Sequence, residues 1–306
     1  MAEPGEQFAE VGRGITLCYE TFGEPTAEPV VLIMGLSTQM IAWDEEFCRE
    51  LAGRGHYVIR FDNRDIGLST ELNFPPPTTR QLLRRRFRSE QYLLSDMADD
   101  TARLLDQLGL ESAHLVGASM GGMIAQTLCI ERPERVRSLT SIMSNTGSRR
   151  SGQPALSIYR HFLRRLPRGR QARIDQMVGF FELVGSRGEL RDIEAIRERI
   201  EHSYDRSFRP RGSARQLGAI LASGGRAHLL RELRLPTTVI HGTADRLIRP
   251  TGGRATAAAI PDARLVMIDE MGHDLPRPIW PRLIDEITAT AARAGRDEPA
   301  ASTSRV

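Results

Sequence analysis

A serine flanked by glycines, Gly117-Ala118-Ser119-Met120-Gly121, joins an apolar run from Ala113 to Val116 to an apolar, amphipathic stretch from Met123 to Ile130. The pattern reads as strand, abrupt turn and helix, with the serine at the apex and its hydroxyl aimed out of the sheet. Glycine is required at positions 117 and 121 because any side chain there would collide where the backbone doubles back. Gly122 adds a second small residue for close helix–strand packing. A hydroxyl is a weak nucleophile at neutral pH, so Ser119 needs a base within hydrogen-bond reach and an acid to orient that base.

In folds built around such an elbow the chain order is serine, acid, histidine. The last third of the sequence supplies both partners in that order. Residues Thr237 to Gly242 have a buried-strand pattern, and Asp245 follows in the next loop. Arg264 to Ile268 form the following strand, and its loop carries His273. Both residues fall just past the carboxyl ends of strands, the edge where open α/β sheets bind ligands. Other histidines read differently. His241 closes the strand before Asp245 and is structural, as is His114 at the start of the elbow strand. His56 is a turn residue ahead of the strand Tyr57–Phe61, while His161, His202 and His228 fall in a region open to substrate contact. A carboxylate after the preceding strand, Arg137–Met143, would be a rival acid, but Ser144-Asn145-Thr146-Gly147 holds none. Asp269, Glu270 and Asp274 lie too near His273 in sequence to orient it and read as solvated loop charge. Asp62 and Asp65 read as turn-forming, loop-bracing residues.

Acyl transfer also needs two backbone N–H donors for the developing oxyanion. Met120, directly after the nucleophile, supplies one. The second belongs to a loop after an earlier central strand, and Pro29 to Ile33 followed by Met34-Gly35-Leu36-Ser37 fits, with Leu36 as donor.

On these residues the chain resembles the α/β-hydrolase superfamily over roughly residues 8–145 and 225–293. The stretches VLIMGLSTQMIAWDEEFCRELAGRGHYVIRFDNRDIGLST, HLVGASMGGMIAQ and MGHDLP are similar to those of small serine esterases, a subgroup that includes the aclacinomycin methylesterases of polyketide tailoring. The resemblance implies a serine-dependent carboxylic ester hydrolase with Ser119, Asp245 and His273 as its triad. It implies an α/β-hydrolase fold, a mostly parallel sheet flanked by helices with an inserted helical cap. Many relatives begin the oxyanion loop with His-Gly, whereas this chain has Met34-Gly35. Because the donor is backbone, that change bears on the support of the loop. A serine nucleophile argues against dehalogenases and epoxide hydrolases, whose elbows carry aspartate. A carbon–carbon bond hydrolase, a perhydrolase, an acyltransferase or a cyclase would use the same triad. A non-catalytic receptor on this scaffold often lacks a triad member, and none is missing here.

The length of 306 residues accommodates one large α/β core with a small cap. From Ser148 to about residue 225 the parallel-sheet pattern gives way to arginine-rich amphipathic segments punctuated by proline and glycine. Residues 1–147 and 226–294 are therefore read as the core, 148–225 as a helical cap over Ser119, and the polar tail 295–306 as disordered. Within the cap, Phe162, Leu163, Met177, Val178, Phe180, Phe181, Leu183 and Val184 are spaced for helices and could line an acyl pocket. Hydrophobic content of 40% is ordinary, and no apolar run approaches a membrane span. The start, Met1 to Glu10, has no signal-peptide core, and Cys18, Cys48 and Cys129 read as reduced core thiols, which together suggest the cytoplasm. The net charge of +3 does not suggest a nucleic-acid partner. All 42 basic side chains are arginine, and the run Arg84-Arg85-Arg86-Phe87-Arg88 reads as a solvated face. The expected partner is a small hydrophobic ester, and neither a metal nor an organic cofactor is required. Oligomeric state is left open.

Overall fold

The computed structural model describes residues 5–162 and 167–294. The tail expected to be disordered, 295–306, and Leu163 of the expected cap lie outside the described residues. Eight strands form one sheet: β1 (Gln7–Glu10), β2 (Thr16–Phe22), β3 (Glu28–Ile33), β4 (His56–Phe61), β5 (Ala113–Ala118), β6 (Val136–Ile142), β7 (Thr237–Gly242) and β8 (Arg264–Ile268). Their spatial order is β1-β2-β4-β3-β5-β6-β7-β8, with β1, β2 and β4 paired antiparallel and all later pairings parallel. The helices among the described residues are α1 (Glu45–Ala52), α2 (Thr79–Arg84), α3 (Leu94–Gln107), α4 (Met120–Glu131), α5 (Leu156–Phe162), α6 (Arg170–Val184), α7 (Ile193–Arg206), α8 (Pro210–Ser223), α9 (Ala227–Leu230), α10 (Thr251–Ala259) and α11 (Trp280–Ala294).

The central strands are apolar on both faces because helices cover both. Along β3, Val31 and Ile33 join a cluster with Leu94 and Met97 of α3, Ile124 and Leu128 of α4, and Ala259 of α10. The alternate residues, Val30 and Leu32, pack with Phe47 and Leu51 of α1 and with Trp280, Leu283 and Ile287 of α11. This two-residue alternation follows from the pleat of the strand. All three cysteines are buried and unpaired. No helix among the described residues is long and apolar enough to cross a membrane.

Between β6 and β7 the sheet pattern is interrupted by α5 to α9. The two stems of this insert touch. A Cβ on Gly147 would overlap the Gly224 carbonyl, and the Arg226 N–H donates to Thr146 O at 2.9 Å. Two arginines of the insert then reach into the core. Arg206 lies 2.8 Å from Asp62 and 2.6 Å from Glu6, with its side chain 1% exposed. Arg215 clasps Asp65 with two hydrogen bonds of 2.8 and 2.7 Å. Asp62 and Asp65 do brace their own loop, accepting the N–H groups of Met40, Leu68 and Leu72. Their larger role is to neutralise buried guanidinium groups more than a hundred positions away, as the separation of 150 residues between Arg215 and Asp65 shows. No local sequence signal carries such a pairing.

At the opposite end of the sheet, His56 is the first residue of β4 rather than a turn residue, because its register with Glu28 buries it beneath His114. His114 Nδ1 shares a 2.8 Å hydrogen bond with Ser138 Oγ. Burial lowers the pKa of both imidazoles, that of His114 from 6.5 to about 4. The unfolded chain therefore binds protons near pH 6.5 that the folded chain rejects. Stability is full above pH 6.5 and falls as the pH drops towards about 4. His114 alone should lower the unfolding free energy by about 2 kcal/mol between pH 7 and pH 5. Urea titrations at both pH values should show a smaller pH-dependent loss in His114→Asn, and an equal loss would contradict this account.

Candidate active site

The turn between β5 and α4 is as tight as its glycines require. A Cβ on Gly117 would overlap the Gly121 carbonyl, and one on Gly121 would overlap the Ile33 carbonyl of the neighbouring strand. A Cβ on Gly122 would approach Ser144 Cβ to 2.7 Å. Ser119 at the apex has φ +56° and ψ −118°, a conformation that residues with side chains avoid. Neighbouring groups hold it there. Its N–H donates to Ile142 O at 2.9 Å, and Ser144 Oγ donates to its carbonyl at 2.7 Å. The loop after β6 thus lacks a carboxylate but contributes a clamp, a role that sequence reading does not assign to Ser144.

Two side chains from separate loops, His273 and Asp245, line up on the apex. His273 Nε2 lies 2.9 Å from Ser119 Oγ, and His273 Nδ1 lies 2.7 Å from Asp245 Oδ2. The other carboxylate oxygen of Asp245 accepts the N–H groups of Leu247 and Ile248, each at 2.9 Å. An ionised carboxylate only accepts, so Nδ1 carries the imidazole proton and Nε2 is left to accept from the serine hydroxyl. Asp245 is 2% exposed and His273 8% exposed, so the arrangement is largely shielded from water. His241 lies under Asp245, with its Nε2 donating to Ile248 O at 2.7 Å. Burial lowers its pKa, in keeping with the structural role read from its sequence position.

The loop that carries His273 is fastened to the end of α6. His273 N–H donates to Val184 O at 2.8 Å, and Gly272 N–H donates to Ser186 Oγ at 2.9 Å. Ser186 in turn donates its N–H and its hydroxyl to Asp274 Oδ1, at 2.9 and 2.5 Å. Asp274 is therefore not solvated loop charge. It is 6% exposed, and burial pushes its pKa up while Ser186 counters that shift. A Cβ on Gly272 would overlap the Gly185 carbonyl, so the two segments lie backbone against backbone.

The residues expected to form an oxyanion loop also reach the apex. A Cβ on Gly35 would lie 3.0 Å from Ser119 Cβ, which places this turn beside the Ser119 side chain. Neither Leu36 N–H nor Met120 N–H donates to any group among the described residues, whereas Ser37 N–H is engaged by Gln216. A surface cleft of about 540 Å³ lined by Glu20, Phe22 and Arg49 shares no residue with this constellation. No cluster of side chains suited to a metal ion occurs among the described residues.

A mostly parallel sheet with a serine elbow and an acid and a histidine past later strands defines a class. The chain belongs to the alpha/beta hydrolase fold family, whose model matches residues 28–276. It is similar to rhodomycin D methylesterase DauP of Streptomyces sp. strain C5, at 27% identity over 303 residues, covering 90% of this chain and 94% of the relative. The similarity to rhodomycin D methylesterase DnrP of Streptomyces peucetius is the same, 27% over 303 residues, 90% and 94%. Its fold is like that of the esterase RhEst1 from Rhodococcus sp. ECU1013, with a TM-score of 0.76 at 20% identity, covering 95% of this chain and 100% of that one.

Because the Leu247 and Ile248 N–H groups hold one oxygen of Asp245, an asparagine there would turn its amide NH₂ toward His273. That would force the proton onto Nε2, the wrong tautomer for accepting from serine. Asp245→Asn should keep the fold yet lower hydrolysis of p-nitrophenyl acetate by on the order of 10³–10⁴. A loss of less than about tenfold would show that another group orients the histidine.

Proposed function

We propose that the chain is a carboxylic ester hydrolase in which Ser119, His273 and Asp245 form the catalytic triad of an acyl-enzyme mechanism. The observation that carries this reading is the unbroken relay of 2.9 and 2.7 Å from Ser119 through His273 to Asp245. Ser119 Oγ attacks the ester carbonyl carbon while its proton passes to His273 Nε2. The imidazolium is stabilised by the Asp245 carboxylate, and the carbonyl oxygen, now an oxyanion, rests on the Leu36 and Met120 N–H groups. Collapse of the tetrahedral intermediate breaks the bond to the alcohol, which leaves with the proton from Nε2. Water then attacks the acyl-enzyme, giving one proton to Nε2. The second collapse releases the acid and returns that proton to Ser119.

The similarity to two rhodomycin D methylesterases supports methyl esters of polyketide-like acids as this chain's substrates, and small aryl esters complete the substrate class read from the triad. In this reading residues 148–225 are a cap over the site, with 1–147 and 226–294 as the core. The backbone contact of Gly185 and Ser186 with the histidine loop supports that placement. Three of the apolar residues expected to line a pocket, Met177, Phe180 and Phe181, divide into two kinds. Met177 and Phe181 pack against the buried cluster of Ile174, Val178, Ile196 and Ile200, so they help hold the helices together. Phe180 is half-buried and stands edge-on to Phe181 at 6.0 Å, outside that cluster.

Phe180 is therefore the better probe of substrate contact. Initial rates on p-nitrophenyl acetate and on methyl esters of polycyclic aromatic acids should show turnover of both classes by the wild type. Phe180→Ser should raise KM for the bulky methyl ester by roughly 10–200-fold and leave acetate turnover nearly intact. Phe181→Ser should instead lower the melting temperature and impair both substrates alike. Equal loss on both substrates in Phe180→Ser would remove Phe180 from the pocket, and absence of hydrolysis with either ester class would overturn the functional reading.

A further inference from the structure

The turn that offers the Leu36 N–H is held from outside the sheet. Ser37, the next residue, has φ +61°, and its N–H donates to Gln216 Oε1 of α8 at 3.0 Å. Gln216 is fully buried, and its Nε2 donates to the Arg64 carbonyl at 2.9 Å. The amide is thus fixed at both ends, because a flipped side chain would set its NH₂ against the Ser37 N–H. Helix α8 is itself anchored one residue earlier by the clasp of Arg215 on Asp65. On the other side of the turn, Asn63 Nδ2 donates to Met34 O at 2.9 Å.

The peptide that carries the Leu36 N–H therefore lies between two held peptide groups, one on the Met34 carbonyl and one on the Ser37 N–H. Within the turn itself Thr38 adds two short-range bonds, its N–H to Gly35 O at 3.3 Å and its hydroxyl to Leu36 O at 3.1 Å. Met34 is 4% exposed and packs into the apolar core, so it offers no polar support. Gly35 adds no side chain to restrain the backbone, and it lies against Ser119. Release of the Gln216 bond would leave the Leu36–Ser37 peptide, among the described residues, with only the short-range bond from Thr38 Oγ1 to Leu36 O, and the Leu36 N–H would shift from its position beside Ser119.

We infer that Gln216 is a positioning residue for the oxyanion hole, acting through Ser37 from an insert helix 179 positions along the chain. The inference rests on the esterase reading and makes the insert part of the catalytic geometry as well as a cover. Its signature is a loss confined to the transition state, since the donor is needed only once the carbonyl oxygen becomes an oxyanion.

The test uses the full chain and p-nitrophenyl acetate, with rates expressed per active site by exhaustive titration with a p-nitrophenyl phosphonate. Gln216→Met, which removes both hydrogen bonds at similar volume, should lower kcat by about 10–100-fold and leave KM within about threefold. Affinity for a trifluoromethyl ketone, whose serine adduct carries an oxyanion, should fall in parallel with kcat. Gln216→Glu keeps the acceptor for Ser37 and should recover most of kcat. Gln216→Asn, one methylene too short to reach Ser37, carries the same expectation as Gln216→Met if that variant does not fold. A kcat at the wild-type level, a change in KM alone, an unaltered trifluoromethyl ketone affinity, or a Gln216→Glu variant as slow as Gln216→Met would each overturn the inference. Ser119→Ala, assayed alongside, separates the two claims. Retained activity there defeats the esterase reading itself, whereas an inactive Ser119→Ala beside a fully active Gln216→Met defeats only the role of Gln216.

Discussion

The close approach of β5 and α4 is the constraint on which the site depends. Where the backbone reverses, Gly117, Gly121 and Gly122 each face another chain segment with no room for a methyl group. That closeness leaves Ser119 at φ +56°, at the rim of the sheet, with its carbonyl accepting the Met123 N–H of the first turn of α4 at 3.3 Å. Such strain persists only where the surroundings over-determine the conformation. Here the Ile142 carbonyl and the Ser144 hydroxyl do so from β6 and the loop beyond it. Every other functional group has to arrive at that fixed point from its own strand end.

The arrival is arranged by buried polar contacts that cross between the insert and the sheet. Arg206 joins Asp62 and Glu6, Arg215 joins Asp65, and Ser186 joins Asp274 beside the histidine. Buried charge pairs contribute little net stability compared with apolar packing, but removing one partner costs about 3–5 kcal/mol because the other is left desolvated and alone. Their effect is specificity of placement. These contacts tie the insert to the loops that carry Leu36 and His273, through Gln216 on Ser37 and Ser186 on Gly272.

The parts of this arrangement that were legible in the sequence are those with local causes. Glycine spacing around Ser119 announces the elbow, and apolar runs followed by polar loops put Asp245 and His273 past adjacent strands. The two-faced apolar strands announce a sheet covered on both sides. What was not legible depends on residues far apart in the chain. Gln216 meets Ser37 across 179 positions, and Ser186 meets Asp274 across 88. Neither side chain differs in type or spacing from ordinary surface polar residues. Asp274 looked like loop charge for the same reason, since its burial is conferred by the end of α6 rather than by its own neighbours. Arginine is abundant throughout the chain, and nothing in their local sequence marks Arg60, Arg64, Arg215 and Arg226 as the ones that are buried.

The central claim is that the Ser119 hydroxyl, activated by His273, carries the acyl group. Treatment with an organophosphonate followed by peptide mass mapping tests it directly. The account predicts one label per chain, located on Ser119, with loss of ester hydrolysis in proportion to labelling. A label on any other residue with hydrolysis abolished, or full hydrolysis after Ser119 is modified, would contradict it.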